Sequence, residues 1–111
     1  MELLKPSLEQ LVEEIVAVNR AWKLARELFD ETSPLAISLR DLKTCKQVRL
    51  LQNYAPEQVY LALDPASKGE LLYSLRLREP IGSRQNAEHL PVRVAEEVLS
   101  PEELRRLVEA N

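Results

Sequence analysis

The 111-residue sequence contains one cysteine, one histidine and two glycines, and each scarcity excludes a class of protein. One cysteine cannot form a disulfide framework or a cysteine-based zinc site, which favours a reducing compartment. Two glycines exclude the glycine-rich loops that bind nucleotide phosphates. No apolar run approaches the roughly 20 residues of a membrane span, and the acidic start MELLKPSLEQ lacks the apolar segment of a signal peptide. These features predict a small cytoplasmic protein without a membrane segment.

The composition is 45% apolar and 30% charged, which is typical of a globular chain rather than a disordered one. Domains usually contain roughly 100–200 residues, so we expect residues 1–111 to form a single domain. We find no internal repeat and no low-complexity linker that would divide it.

Residues 7–31 carry the strongest pattern, apolar residues at alternating spacings of three and four. This heptad stripe comprises Leu8, Leu11, Ile15, Val18, Trp22, Ala25 and Phe29. It predicts an amphipathic helix, which Ser7 and Gln10 would cap at its start. At roughly 35 Å the helix would exceed the width of so small a domain, so part of the stripe would stay uncovered. We therefore predict a partner interface at Leu11, Ile15, Val18, Trp22 and Phe29, the alternative being that the stripe packs on the chain's own core.

The middle of the chain has two further patterns. Apolar residues at every third position from Leu42 to Tyr54 favour a second helix after Asp41, and a short strand at 37–39 would precede it. Alternating residues over 58–63 and 70–78, around a loop with proline and glycine, predict a β-hairpin. Valines at 91–95 suggest a third strand, and residues 79–90 have the composition of a loop.

At the C-terminal end, Ser100, Pro101 and Glu103 predict the capped start of a helix. The resulting fold class is α+β, in which a long N-terminal helix, a second shorter helix and a C-terminal helix pack with a small antiparallel sheet of strands at 58–63, 70–78 and 91–95. The alternative is an all-α bundle in which 56–64 and 68–79 are short helices.

Charge is unevenly distributed along the chain. Residues 1–31 carry four bases and seven acids, whereas residues 32–55 carry four bases and one acid. The four bases form a basic stripe at Arg40, Lys43, Lys46 and Arg49. Such a stripe is the one feature that resembles a nucleic-acid contact, although a solvated helix face would have the same composition.

Candidate catalytic groups are few. His89 follows Glu88 directly, and adjacent residues on an extended chain point to opposite sides, which argues against a catalytic pair. Cys45 shares the spacing of Leu42 and Val48, so we expect it to be a small buried residue rather than a nucleophile. No zinc-ligand spacing is present. We therefore expect no enzyme activity, no metal and no cofactor.

Nine residues from Glu31 to Leu39 resemble the turn after the first helix in rubisco assembly chaperones. That family is all-helical and presents tyrosines from its first helix to a client peptide. The first predicted helix here contains no tyrosine, so no site residue follows from the resemblance.

The sequence thus predicts a non-catalytic interaction, adaptor or assembly protein that acts through its N-terminal helix, with a protein partner or a second copy of itself. A small nucleic-acid-binding regulator that uses the basic stripe is the alternative.

Overall fold

The computed structural model describes residues 7–109, in which two long helices precede a three-stranded sheet and two short helices. The elements are α1 (Leu8–Phe29), α2 (Pro34–Tyr54), β1 (Val59–Leu63), β2 (Leu72–Ile81), β3 (Arg84–Pro91), α3 (Val92–Val98) and α4 (Pro101–Leu107). The α+β prediction is confirmed. The all-α alternative is wrong, because residues 59–63 and 72–81 are paired strands.

Helices α1 and α2 form an antiparallel hairpin, and each is capped by a serine. The Ser7 hydroxyl accepts a hydrogen bond from the backbone N–H of Gln10 at 3.0 Å, as predicted. Ser33 accepts one from Ala36 at 3.1 Å, and Pro34 occupies the first position of α2. The predicted start after Asp41 and the alternative strand at 37–39 are therefore wrong. A serine cap followed by proline is a strong helix start, and three alternating residues do not override it.

The sheet has the order β1–β2–β3, and both strand pairs are antiparallel. Val59 lies opposite Leu77 and Leu61 opposite Leu75, so the predicted hairpin is confirmed. The predicted loop over 79–90 is wrong, because β2 and β3 are joined there by two residues. Gly82 has φ of 62°, the left-handed conformation that a two-residue hairpin turn requires. The turn residues Gly82 and Ser83 do form a turn, but it is two residues long, whereas the composition predicted a loop of twelve residues.

The C-terminal segment combines one confirmed and one incorrect prediction. Residues 92–95 were expected to form a strand, but they begin α3, because the valines follow Pro91 and lead into helix-forming Ala and Glu residues. The capping box of α4 is confirmed: Ser100 Oγ accepts from Glu103 N–H at 3.1 Å, and the Glu103 carboxylate accepts from Ser100 N–H at 3.0 Å. After α4 the chain runs beside β1, where Glu109 N–H donates to the Leu61 carbonyl at 2.8 Å.

One hydrophobic core lies between the sheet and the lower half of the helical hairpin, meaning the start of α1 and the end of α2. The fully buried side chains include Leu11, Ile15, Leu50, Leu61, Leu75 and Leu90. The upper half of the hairpin, around the turn at 30–33, extends past the sheet. At about 1.5 Å per residue the 22 residues of α1 span about 33 Å, and the buried hydrophobic residues near the turn, Ala25 and Ala36, lie outside this core cluster.

We predict that Leu75→Ala lowers the free energy of unfolding by about 2–5 kcal/mol, because it leaves a cavity at the centre of the sheet. Leu71→Ala is the matched control, since Leu71 is 63% exposed and should change stability by less than about 0.5 kcal/mol. Urea unfolding followed by circular dichroism measures both. Equal effects of the two substitutions would contradict this placement of the core.

Candidate functional site

The structure divides the predicted partner interface between the core and the surface. Leu11 and Ile15 are fully buried in the chain's own core, so their assignment to a partner interface is corrected. Val18 and Trp22 are half-buried, and Phe29 is exposed near the hairpin turn. The lower part of the heptad stripe therefore stabilises this chain, and only its upper end is accessible to a partner.

The outward side of the upper hairpin carries apolar side chains that the heptad stripe did not include. We call this surface the back face; it comprises Leu24, Leu28, Leu35 and Leu42, which are between 43% and 65% exposed. At about 100° per residue, the two leucines of α1 lie about 140° and 180° around the helix from buried Asn19. The two leucines of α2 lie about 120° and 140° from buried Gln47. Each leucine therefore lies on the far part of its helix from these two buried polar residues, and Leu28 lies about 60° from buried Ala25.

The inward side of α2 is polar where a core helix is usually apolar. Gln47 is fully buried, and its Nε2 donates to the carbonyl oxygens of Ala87 and His89, both at 3.1 Å. Lys43, one turn earlier, is only 8% exposed. With Lys43 and Gln47 inside and Leu35 and Leu42 outside, the polarity of α2 is inverted at these positions, although Ala36 is buried in the same helix.

The four bases of the basic stripe have different environments. A spacing of three residues advances about 300° per step, so the stripe rotates around α2 instead of following one side. Lys43 is buried, whereas Lys46 pairs with Glu14 of α1 at 2.9 Å. Arg40 and Arg49 are exposed, and Arg40 lies 3.7 Å from Asp41. The expected single basic face is therefore not present, and the nucleic-acid hypothesis keeps two exposed residues of its four.

A groove of about 1100 Å³ lies between the hairpin and the segment formed by β3 and α3. Its α1 wall carries Trp22, Lys23 and Arg26, and Lys43 lines it from α2. We call this the basic groove. The Arg26 guanidinium lies 4.4 Å from the centre of the Trp22 ring, and Lys43 Nζ lies 4.8 Å from it. Both distances are within the range of cation–π contacts.

Lys43 is an uncompensated cation in this groove. It forms no ion pair with any carboxylate of the described chain, and Glu88, which attracts it, is already paired with Arg84 at 3.4 Å. Burial lowers the pKa of Lys43 from 10.5 to about 8, and repulsion from Lys23 and Arg26 acts in the same direction. The ammonium is therefore charged at neutral pH but at a cost to stability.

The two candidate catalytic residues, His89 and Cys45, do not form a nucleophile–base pair. His89 Nε2 is 3.0 Å from the Asp64 carboxylate, so its acidic neighbour is Asp64 and not Glu88. No hydroxyl or thiol group hydrogen bonds to His89 within residues 7–109. Cys45 is exposed, which corrects the expectation that it is buried. The same residues contain no cluster of three or more His, Cys, Asp or Glu side chains that could hold a metal, and no helix suited to crossing a membrane.

Sequence reasoning missed the back face and the cations of α1. Leu24, Leu28 and Leu35 lie outside the heptad stripe of α1 and the every-third pattern of α2, and Leu42 was assigned to the apolar side of that pattern. Lys23 and Arg26 follow Trp22 by one and four positions, a spacing that places Arg26 one turn from the indole. The sequence therefore indicated that Arg26 can contact the indole. It did not indicate that Lys43 of α2 contacts the same ring, because that depends on how the two helices pack.

We predict that Lys43→Met stabilises the protein by about 1–3 kcal/mol at pH 7, because it removes an unpaired buried charge. Above pH 8 the folded wild type loses this proton, while the unfolded chain keeps it to about 10.5. Wild-type stability therefore rises with pH in that window, and the advantage of Lys43→Met shrinks to nothing near pH 10.5. Urea unfolding of both proteins at several pH values measures this.

Lys46→Met is the control, since Lys46 is already paired and should not give a stabilisation that depends on pH in this way. A loss of stability in Lys43→Met, or a gain that is constant from pH 7 to 10.5, would contradict the assignment of an uncompensated charge.

Comparison with known proteins adds no assignment: no family model, curated protein or solved structure matches this chain.

Proposed function

We propose that this protein is a non-catalytic interaction or assembly protein that binds a partner through the back face of its helical hairpin. The observation that carries this proposal is the exposure of Leu24, Leu28, Leu35 and Leu42 on two adjacent helices. Single exposed leucines are common on protein surfaces and need no explanation. Four exposed leucines on the two helices of one hairpin are an accumulation of apolar surface of the kind that marks an association site.

The inverted polarity of α2 supports the same proposal. An isolated helix hairpin gains stability by turning its leucines inward, where covering one leucine side chain contributes about 1.5–3 kcal/mol. Here the inward positions hold Lys43 and Gln47, and the leucines of the same helix face outward. This arrangement is costly in a lone chain and favourable when a second surface covers the back face.

The partner that we propose is a second copy of the chain. In a symmetric pair of hairpins, α1 of one copy packs against α2 of the other, because a two-fold interface joins identical patches. The two segments have opposite charge: −3 for residues 1–31 and +3 for residues 32–55. Exposed Glu13 and Glu27 of α1 and exposed Arg49 of α2 are among the groups that such a pairing would bring closer.

We also propose a cytoplasmic location, which is supported by the single cysteine, Cys45, and its exposure as a free thiol. The nucleic-acid alternative stays a prediction, and the pairing of Lys46 and the burial of Lys43 weaken it.

We predict that the wild type forms a dimer in solution and that Leu28→Glu converts it to a folded monomer. A carboxylate at the centre of a covered apolar patch would be desolvated without a partner, whereas in the monomer it stays in water. Light scattering over a range of protein concentrations gives the mass, and circular dichroism checks the fold. Leu71→Glu is the matched control, because Leu71 is as exposed as Leu28 but lies in the loop before β2.

A wild type that is monomeric at every concentration would overturn the second copy as the partner. A dimer that Leu71→Glu and Leu28→Glu weaken equally would place the interface away from the back face.

A further inference from the structure

We propose that the basic groove is a binding site for a small phosphorylated ligand, whose phosphoryl group is held by Lys43, Arg26 and Lys23. This site lies on the other side of α1 from the back face, so the inference goes beyond the proposed interaction and does not depend on it.

The geometry around Trp22 brings the cations together. Arg26 and Lys43 come from different helices, and each lies within 5 Å of the centre of the indole ring, at 4.4 and 4.8 Å. Lys23 lies on the same wall of the groove, close enough to repel the Lys43 ammonium. The ring thus positions two positive side chains on one wall where they would otherwise separate.

Some cations at or near the groove are neutralised by carboxylates, and Lys23, Arg26 and Lys43 are not. Arg84 pairs with Glu88 at 3.4 Å, and Arg93 pairs with Glu70 at 3.0 Å. Within residues 7–109, none of Lys23, Arg26 and Lys43 has a carboxylate partner. Arg49 and Lys68, which also line the groove, have no ion pair within residues 7–109 either, so the three cations are distinguished by lying together near Trp22.

The burial of Lys43 points to a ligand and not to solvent. An exposed lysine without a partner is fully hydrated, but Lys43 is 8% exposed and has lost most of that hydration. A buried cation is retained when something compensates it, and within residues 7–109 Lys43 has only the face of the Trp22 ring and the shared carboxylate of Glu88. An anion that enters the groove would supply the missing compensation.

The number of charges favours a phosphoryl group over a carboxylate. A phosphate ester carries about −1.5 to −2 near pH 7 and offers three acceptor oxygens, which suits three neighbouring cations better than a single carboxylate does.

The position of Lys43 also favours a small ligand over a polynucleotide. A polymer backbone needs a continuous exposed basic surface, whereas here the central lysine is buried and Lys46 is paired.

Trp22 provides a direct assay, because it is the sole tryptophan of the chain and contacts two of the three cations. We would titrate the wild type with inorganic pyrophosphate at pH 7 and constant low ionic strength, and follow the indole fluorescence. We expect a saturable change, and about tenfold or greater weakening in Lys43→Met and in Arg26→Gln. Lys46→Met and Arg20→Gln are matched controls with the same change in charge outside the groove, and both should bind as the wild type does.

Thermal unfolding gives a second readout that does not depend on the fluorophore. Pyrophosphate should raise the melting temperature of the wild type more than that of Lys43→Met at the same concentration, because the variant binds it more weakly. The absence of saturable binding to the wild type, or binding by Lys43→Met and Arg26→Gln that is as tight as that of the wild type, would overturn the site.

Two further probes test the ligand class. Glutamate that binds as tightly as pyrophosphate would overturn the phosphoryl assignment. A single-stranded oligonucleotide that binds more tightly, with equal losses in Lys46→Met and Lys43→Met, would replace the small ligand with a polyanion surface. Weak binding of both probes is the result that we expect. Because none of these readouts requires a dimer, their failure and the failure of the proposed self-association are distinguishable.

Discussion

The packing of the lower helical hairpin against one face of the sheet is the contact on which the other features depend. Leu11, Ile15 and Leu50 meet Leu61 and Leu75 there, and all five side chains are fully buried. Because this contact involves only one end of the hairpin, the other end is free of the need to form a core. Both proposed surfaces lie on that end or beside it.

The inverted polarity of α2 illustrates a conflict between stability and function. Natural chains are marginally stable, so burying a lysine and exposing leucines has a cost in stability. We interpret that cost as the result of a binding role for these side chains. The lower half of α2 is conventional, with Leu50 and Leu51 inside, and the change occurs within two turns. A local departure from ordinary patterning in an otherwise consistent fold is characteristic of a working surface.

The sequence predicts those parts of the fold that have local causes. The Ser7 and Ser100 caps and the alternation in β1 and β2 depend on residues within a few positions of each other. Strand β3 was missed because its sequence, RQNAEHLP, has little apolar alternation, and its pairing with β2 includes register shifts. The sequence indicated Trp22 and Lys43 separately, but not the groove, because their meeting is set by the packing of α1 on α2. Whether a charged residue is buried depends on tertiary packing, which helical periodicity does not predict.

The hydrogen bonds of Gln47 have a consequence for the groove. One amide nitrogen on α2 binds two carbonyl oxygens of β3, Ala87 and His89, so these two elements are tied at a fixed separation. They lie along the groove, whose width near Lys43 is therefore set before any ligand arrives. A preorganised cleft does not lose conformational entropy by closing, so the affinity of an incoming anion is not reduced by that cost. In this molecule the hydrogen bonds between α2 and β3 fix this side of the groove in the absence of a ligand.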